Sequence, residues 1–237
     1  MKSFVEQEYI LDDIIRKIEN RTFEPGERLP SENVLAAGYD VSRTVIHALY
    51  ENLAALEIIY SKQGKGWYVK EKPVKIQYRL TDTGSFTEKL QKMNIEPVTR
   101  AVELKTVSYK EHIFTELGAA AGETVYKLIR VRYINGQPIA IYNSYLKKRD
   151  FPDIEQEWHD ITSIFQYFKK CRYTIVESDK ESVIRIRIPK EYERQLLNCS
   201  RFEPLVILYT CNKTGRTACL EYCITKYRSD YFDFIIK

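Results

Sequence analysis

Arg130 and Arg132 stand two residues apart in a β-rich run, so their guanidinium groups point to one side of the strand. Two like charges held side by side favour an anion or carboxylate between them. The spacing recurs at Arg185 and Arg187, where Ile184, Ile186 and Ile188 alternate with the arginines. Periodicity does not separate the pairs: each can be an anion site or a solvated strand face. Ser85 and Thr87, at the start of a short helix ahead of the first pair, offer hydroxyls and N–H groups for the same anion. A second constellation lies nearer the N-terminus. Arg43 and His47 are four apart with Thr44 adjacent, so on a helix the three share the face opposite Val45, Leu49 and Leu53. Such a face reaches a nucleic-acid groove: Arg43 suits a guanine edge or a phosphate, and the N–H groups at the helix start suit a phosphate. Glu51 extends the same face and repels a polyanion, which limits reading to about the first two turns. Lys62 and Lys65 sit around Gly64 and Gly66, which let the backbone approach a groove wall closely; alone, the same segment is also an exposed turn with solvated lysines.

The elements that must position these residues are readable from period and punctuation. Ile10, Ile14 and Ile18, with Leu11 and Ile15 alongside, predict a helix over 5–19 that ends near Asn20. Pro25 and Pro30 bracket a loop. Ser31 caps a helix running from Glu32 to about Ala37, which Gly38 stops. Ser42 caps a third helix whose inward stripe is Val45, Ile46, Leu49, Leu53 and Leu56. Two capped helices joined by about four residues make a helix-turn-helix. The runs 58–62 and 67–69 around the glycine tip predict a hairpin, which completes a winged helix. Residues 71–82 mix charge with one proline and no period, and read as a linker. Beyond it, helices at 86–93, 110–117, 163–170 and 190–197 alternate with β-rich runs at 98–107, 125–134, 138–147, 174–188, 205–212 and 218–227. Asn135-Gly136 is a strong hairpin signal and Thr214-Gly215 a weaker one. The expected fold class is α+β: a winged helix-turn-helix over 1–70, the linker 71–82, and a mostly antiparallel domain over 83–237.

Composition sets the outer limits. The chain has 237 residues, 44% apolar and 30% charged, enough for one large or two modest domains and unlike disordered or collagenous chains. No run approaches the roughly 18 apolar residues of a membrane helix, and the first ten residues lack a signal-type apolar block. A cytoplasmic protein with no membrane partner is expected. Net charge is +4, but residues 1–70 carry nine basic against eleven acidic side chains, so a nucleic-acid partner must be argued from placement and not from bulk charge. Five cysteines, an odd number with no C-x-x-C pair, make a disulfide framework unexpected. His47, His112 and His159 are isolated from one another and from the cysteines, so neither a metal nor another cofactor is expected. A nucleophile elbow, a phosphate-binding glycine loop and a metal motif are all missing, and the chain is not expected to be an enzyme.

The segment Pro25-Gly26-Glu27-Arg28-Leu29-Pro30-Ser31-Glu32, followed by Val41-Ser42-Arg43 and Gln63-Gly64-Lys65-Gly66, resembles the winged-helix signature of GntR-family bacterial transcription regulators. In the second domain five segments resemble the effector-binding UTRA domain of the HutC subfamily. They are Gly84-Ser85-Phe86-Thr87-Glu88, Arg130-Val131-Arg132, Asn135 to Ala140, Ser144-Tyr145-Leu146, and Leu220-Glu221-Tyr222 with Tyr227-Arg228. The resemblance implies a homodimeric repressor that binds an inverted-repeat operator in double-stranded DNA. It implies that the second domain, related in fold to chorismate lyase but not catalytic, binds a small anionic metabolite such as a phosphorylated sugar or related acid. Carried onto this sequence, the DNA-binding residues are Arg28, Ser31, Ser42, Arg43, Thr44, His47, Lys62, Gly64 and Lys65. The effector-binding residues are Ser85, Phe86, Thr87, Arg130, Arg132, Tyr142, Ser144, Ser163, Glu221 and Tyr227, and their preference over Arg185 and Arg187 comes from the resemblance. The chain departs from the family twice, with Val45-Ile46-His47 where Thr-Val-Arg is usual and with Tyr142 where many sugar-phosphate-responsive members carry Glu. A DNA-binding protein whose second domain only dimerises is the alternative. Whether Tyr142 and Ser144, or Asn143 and Tyr145, share the arginine face depends on the hairpin register at Gly136.

Overall fold

The computed structural model describes residues 4–71, 75–79, 86–176, 183–214 and 218–235. It divides into two compact units, Met1–Val74 and Lys75–Lys237.

The first unit contains α1 (Phe4–Glu19), α2 (Glu32–Tyr39), α3 (Arg43–Ala55) and a two-stranded antiparallel sheet of β1 (Ile59–Lys62) and β2 (Gly66–Val69). Ser31 caps α2, its hydroxyl accepting from the Val34 N–H. Gly38 lies inside that helix and does not stop it; the chain turns instead at Asp40, which takes a left-handed conformation (φ 52°) that a short polar side chain tolerates. Ser42 occupies the N-cap position of α3, but its side chain makes no capping bond. The inward stripe of α3 is Ile46, Leu49, Tyr50 and Leu53, which pack with Ile10 and Ile14 of α1 and with Ile59 and Val69 of the wing. Each such burial is worth about 1.5–3 kcal/mol. The expected stripe differs in three places: Val45 is only partly buried, Leu56, past the last helical turn, is exposed, and Tyr50 is buried with its hydroxyl donating to the Pro30 carbonyl at 2.8 Å.

In chain order the second unit contains β3 (Ile76–Arg79), α4 (Phe86–Gln91), β4 (Val98–Thr106), α5 (Glu111–Leu117), β5 (Val125–Ile134) and β6 (Gln137–Lys147). There follow α6 (Ile154–Glu157), α7 (Ile164–Lys170), β7 (Ile175–Val176), β8 (Val183–Arg187), α8 (Glu191–Leu197), β9 (Leu205–Thr214), β10 (Ala218–Arg228) and β11 (Phe232–Ile235). An antiparallel seven-stranded sheet runs β4-β5-β6-β10-β9-β7, with β8 also pairing β9. β5 and β6 turn through Asn135 and Gly136, both at positive φ, which is what a two-residue hairpin of primed type requires. The Thr214-Gly215 turn falls partly outside the described residues.

Three expectations are corrected. The stretch 71–82 is not a linker throughout: Ile76 and Tyr78 are buried while Gln77 and Arg79 are exposed, and this alternation makes β3, which pairs in parallel with β11. Charged neighbours and a proline mask the period in the sequence. The run 174–188 does not pair as one strand: its described ends, β7 and β8, both pair with β9 but in registers three residues apart, and residues 177–182 lie outside the described residues. Finally, Cys211 and Cys219 form a disulfide, because β9 and β10 set their Cα atoms 6.2 Å apart. An odd cysteine count argues against a framework of bridges but says nothing about one cross-strand pair.

Candidate functional site

Strand register settles which side chains share the arginine face. Arg130 lies opposite Tyr142, Tyr142 opposite Thr225, Thr225 opposite Leu208, and Leu208 opposite Ile184, so all five point to one side of the sheet. Leu128, Ser144 and Cys223 form the next row on that side. Tyr142 and Ser144 therefore accompany the arginines, whereas Asn143 and Tyr145 face the other way. So do Arg185 and Arg187, which stand opposite Ile207 and Leu205.

The arginine face carries a cavity of about 460 Å³. Arg130 is 1% exposed, and its Nη2 donates to the Ser144 hydroxyl at 2.9 Å and lies 3.7 Å from Glu221 Oε1. Arg132 donates from Nη1 to the Thr87 hydroxyl at 2.9 Å, and its guanidinium lies near the rings of Phe86 and Tyr142, which meet edge to face, at 4.6 and 4.5 Å from their centroids. These ring contacts and the bond to Thr87 hold the guanidinium in place before any ligand arrives. Tyr142 and Tyr227 share a hydrogen bond between their hydroxyls at 3.0 Å, and burial pushes both phenols well up, so both stay neutral. Among the described residues, Arg130 Nε and Nη1, Arg132 Nε and Glu221 Oε1 are buried without a hydrogen-bond partner. A buried charged group left unsatisfied is costly, so these atoms mark where a polar occupant fits. Burial also depresses Arg130, with Glu221 opposing the shift, yet a guanidinium keeps its charge.

Most of the expected effector residues meet here: Phe86, Arg130, Arg132, Tyr142, Glu221 and Tyr227 line the cavity, while Thr87 and Ser144 hold the arginines. Ser163 does not reach it. Its hydroxyl caps α7 by accepting from the Gln166 N–H, and the neighbouring Ile164 and Phe165 supply the wall. Ser85 lies outside the described residues. The lining residues that sequence reasoning missed include Lys89, one helical turn after Phe86, and Tyr78 from the supposed linker. Lys89 looks like an ordinary surface lysine in sequence, but it is buried, over the Tyr78 ring and donating to the Arg79 carbonyl. Among the described residues the lining thus holds three cations against the single carboxylate of Glu221.

In the first unit Arg43, Thr44 and His47 are exposed on one face of α3. Glu32, at the start of α2, binds two of them: its Oε2 accepts from Arg43 Nε at 2.7 Å and its Oε1 lies 2.8 Å from His47 Nδ1. Trp67 of the wing donates to the same Oε1 at 3.3 Å. The hydrogen bond with His47, against the upward push of burial and with help from the bond from Arg43, holds the Glu32 carboxyl down at about 2. In the wing, Gly64 and Gly66 have φ of 70° and 94°, conformations that glycine adopts without cost. A Cβ on Gly66 would meet the Arg28 guanidinium at 3.3 Å, so Arg28 lies against the wing. Lys62 sits over the Tyr68 ring at 4.1 Å, and Lys65 is exposed at the tip. Ser31 and Ser42 stand at the starts of α2 and α3.

A winged helix with basic and hydroxyl side chains on its third helix, joined to a sheet domain with a cation-lined cavity, defines a class: two-domain proteins that pair a nucleic-acid-binding fold with a ligand pocket. Residues 6–69 match the family of bacterial regulatory proteins called gntR, and residues 92–233 match the UTRA domain. The chain belongs to the GntR family, in the HutC subfamily marked by a C-terminal UTRA domain, a family of transcription regulators and not of enzymes. It is 23% identical to the mannosyl-D-glycerate transport/metabolism system repressor MngR of Escherichia coli K12, over 96% of this chain and 93% of that protein. It is 28% identical to a fructoselysine utilization operon repressor of Shigella flexneri, over 83% of this chain and 77% of that one. The crystal structure of PhnF from Mycobacterium smegmatis shares the fold, with a TM-score of 0.63 at 19% identity, covering 96% of this chain and 98% of that one. Among the described residues no helix is long and apolar enough to cross a membrane.

Proposed function

We propose that the protein is a dimeric repressor whose operator affinity is controlled by a small anionic metabolite bound between Arg130 and Arg132. The observation that carries this reading is the set of buried guanidinium N–H groups, on Arg130 and Arg132, that have no partner among the described residues and line an aromatic-walled cavity. A phosphate or carboxylate satisfies them, each charge-assisted bond contributing about 1.5–3 kcal/mol. Glu221 Oε1 accepts from a hydroxyl elsewhere on the same ligand. The repressor names of the relatives, and their association with mannosyl-D-glycerate and fructoselysine, support a sugar-derived acid or phosphate and repression as the sense of control. On the DNA side α3 enters the major groove with Arg43, Thr44 and His47, while Ser31, Ser42 and Arg28 hold phosphates and Lys62, Gly64 and Lys65 follow the groove wall. One such helix reads few bases, and a twofold dimer on an inverted repeat doubles them.

Calorimetric titration of the full chain with a panel of sugar phosphates and sugar acids tests the reading. One compound binds saturably, and Arg130→Ala and Arg132→Ala each weaken it by about tenfold or more, while operator binding without ligand stays intact. Unchanged affinity in both variants refutes the assignment.

A further inference from the structure

Cys219 and Glu221 stand two residues apart on β10, so in a regular strand they would share a face. They do not. Glu221 lines the arginine cavity, whereas Cys219 packs with Cys211, Tyr145 and Tyr222 on the opposite side of the sheet. The register against β9 shifts between Cys219 and Glu221, which makes Leu220 an extra residue. Leu220 packs with Leu128 and Ile164 on the arginine side, so two consecutive residues face one way. From Glu221 onward, pairing with β6 and β9 fixes the side each residue takes. Cys219 is fixed to the other side by its bond to Cys211. The bulge is thus locked between two anchored points.

Glu221 Oε1 lies 3.7 Å from Arg130 Nη2, and both side chains are buried. Opposite charges so placed gain by closing to a hydrogen bond, yet Glu221 Oε1 and Arg130 Nε and Nη1 have no hydrogen-bond partner among the described residues. The backbone accounts for the gap. Asn212, which follows Cys211 directly, donates to Glu221 Oε2 at 2.5 Å, so the bridge anchors both strands beside the two residues that set the carboxylate. We propose that the Cys211–Cys219 bridge is a positioning bond for the arginine cavity, and that a dithiol reductant switches the cavity off by opening it, which lets Glu221 close on Arg130 where an anion would sit. The inference rests on the reading that this cavity binds an anion. Cys211 also lines a second cavity, of about 520 Å³ on the far face, beside the exposed side chains of Arg185 and His112, and this gives a reductant a way to its sulfur. A thiolate of the dithiol attacks the Cys211 sulfur, and Cys219 leaves as a thiolate that takes up a proton. The second thiol of the reductant then displaces Cys211, which is protonated in turn. The protein has gained two electrons and two protons, and the reductant departs as a disulfide.

The test uses the full chain, oxidised or treated with dithiothreitol, with inorganic phosphate as the probe. Alkylation followed by mass spectrometry should find three free thiols in the oxidised chain and all five cysteines free after reduction. Calorimetry should show phosphate bound about tenfold more weakly by the reduced form, because a carboxylate then competes for Arg130. Cys219→Ser should match reduced wild type whether or not dithiothreitol is present. Glu221→Gln, which cannot form the ion pair, should bind phosphate equally in both forms. Five free thiols in the oxidised sample, equal phosphate affinity in the two wild-type forms, or a redox effect retained in Glu221→Gln overturns the proposal while leaving the anion site intact. If phosphate binds neither form, the anion reading fails, and amide hydrogen exchange across 218–222 decides the bridge by itself. Exchange that speeds by about tenfold or more on reduction supports the bridge as the lock on the bulge, and unchanged exchange overturns it.

Discussion

β5 and β8 carry the same Arg-x-Arg spacing and put it to opposite uses. On β5, Arg130 and Arg132 point into a cavity, are paired by neutral hydroxyls and aromatic faces, and keep N–H groups without partners among the described residues. On β8, Arg187 makes a two-pronged bond to Glu193 of α8, with both distances 2.7 Å, and Glu193 is fully buried and also takes Lys226. Arg185 lies over the Tyr209 ring on that same side. Of the two readings open for this pair, the solvated face fits the exposed strand β8 but not the Arg187 guanidinium, which is committed to the fold. An arginine pair is open to a ligand only where no carboxylate of the protein claims it first. Glu221 comes no closer than 3.7 Å to Arg130, whereas Glu193 closes on Arg187 completely.

That contrast is most sharply broken at Glu193. Burial alone would raise its carboxyl, but the bonds from Arg187, Lys226 and the Lys190 N–H outweigh this and hold it down at about 2. Glu193→Ala strands Lys226 in the interior and should cost about 3–5 kcal/mol in urea unfolding of the full chain. Folding lowers this carboxyl, so its stabilisation is complete above the ordinary value of 4.5 and is lost as pH falls towards about 2. Acid unfolding of Glu193→Gln should accordingly have a shallower pH dependence than wild type over that interval.

Effector affinity sharpens the comparison from the other side. Arg187→Ala should lower stability by about 1–3 kcal/mol yet leave effector binding unchanged, the reverse of what Arg132→Ala does in calorimetry. The smallest effect belongs to Arg185→Ala: among the described residues its guanidinium touches a ring and no carboxylate, so stability and ligand affinity should both stay within about 0.5 kcal/mol of wild type. A larger loss of ligand affinity there would move the effector to the opposite face of the sheet.

Much of the fold was legible because the signals are local. The order of helix, turn, second helix and glycine-tipped hairpin depends on periods and punctuation within a few residues, and all of these elements form, although the expected cap by Ser42 does not. Asn135-Gly136 likewise names its own turn. β3 and β11 were not legible, since each is four residues long and is stabilised by a parallel partner some 156 positions away, as the Gln77 to Asp233 bond shows. Tyr78 entered the cavity with β3, and Lys89 of α4 is drawn in by its bond to the Arg79 carbonyl of that strand. Glu32 reads in sequence as an acidic residue after a cap, favourable for the helix dipole. Nothing local says that it meets His47, fifteen residues later.

The sequence by itself determined that Arg130 and Arg132 share a side, that Arg185 and Arg187 share a side, and that Arg43, Thr44 and His47 share a helix face, because side-chain direction follows from the period of the backbone. Packing in three dimensions set the two arginine pairs on opposite faces of one sheet, placed Tyr142 and Ser144 beside the first pair, and gave Arg187 of the second to Glu193. Those outcomes depend on register and on neighbours delivered from distant parts of the chain. A strand's own sequence carries its alternation, but which face of the sheet receives a helix, a carboxylate or a cavity is set by packing among all the strands together.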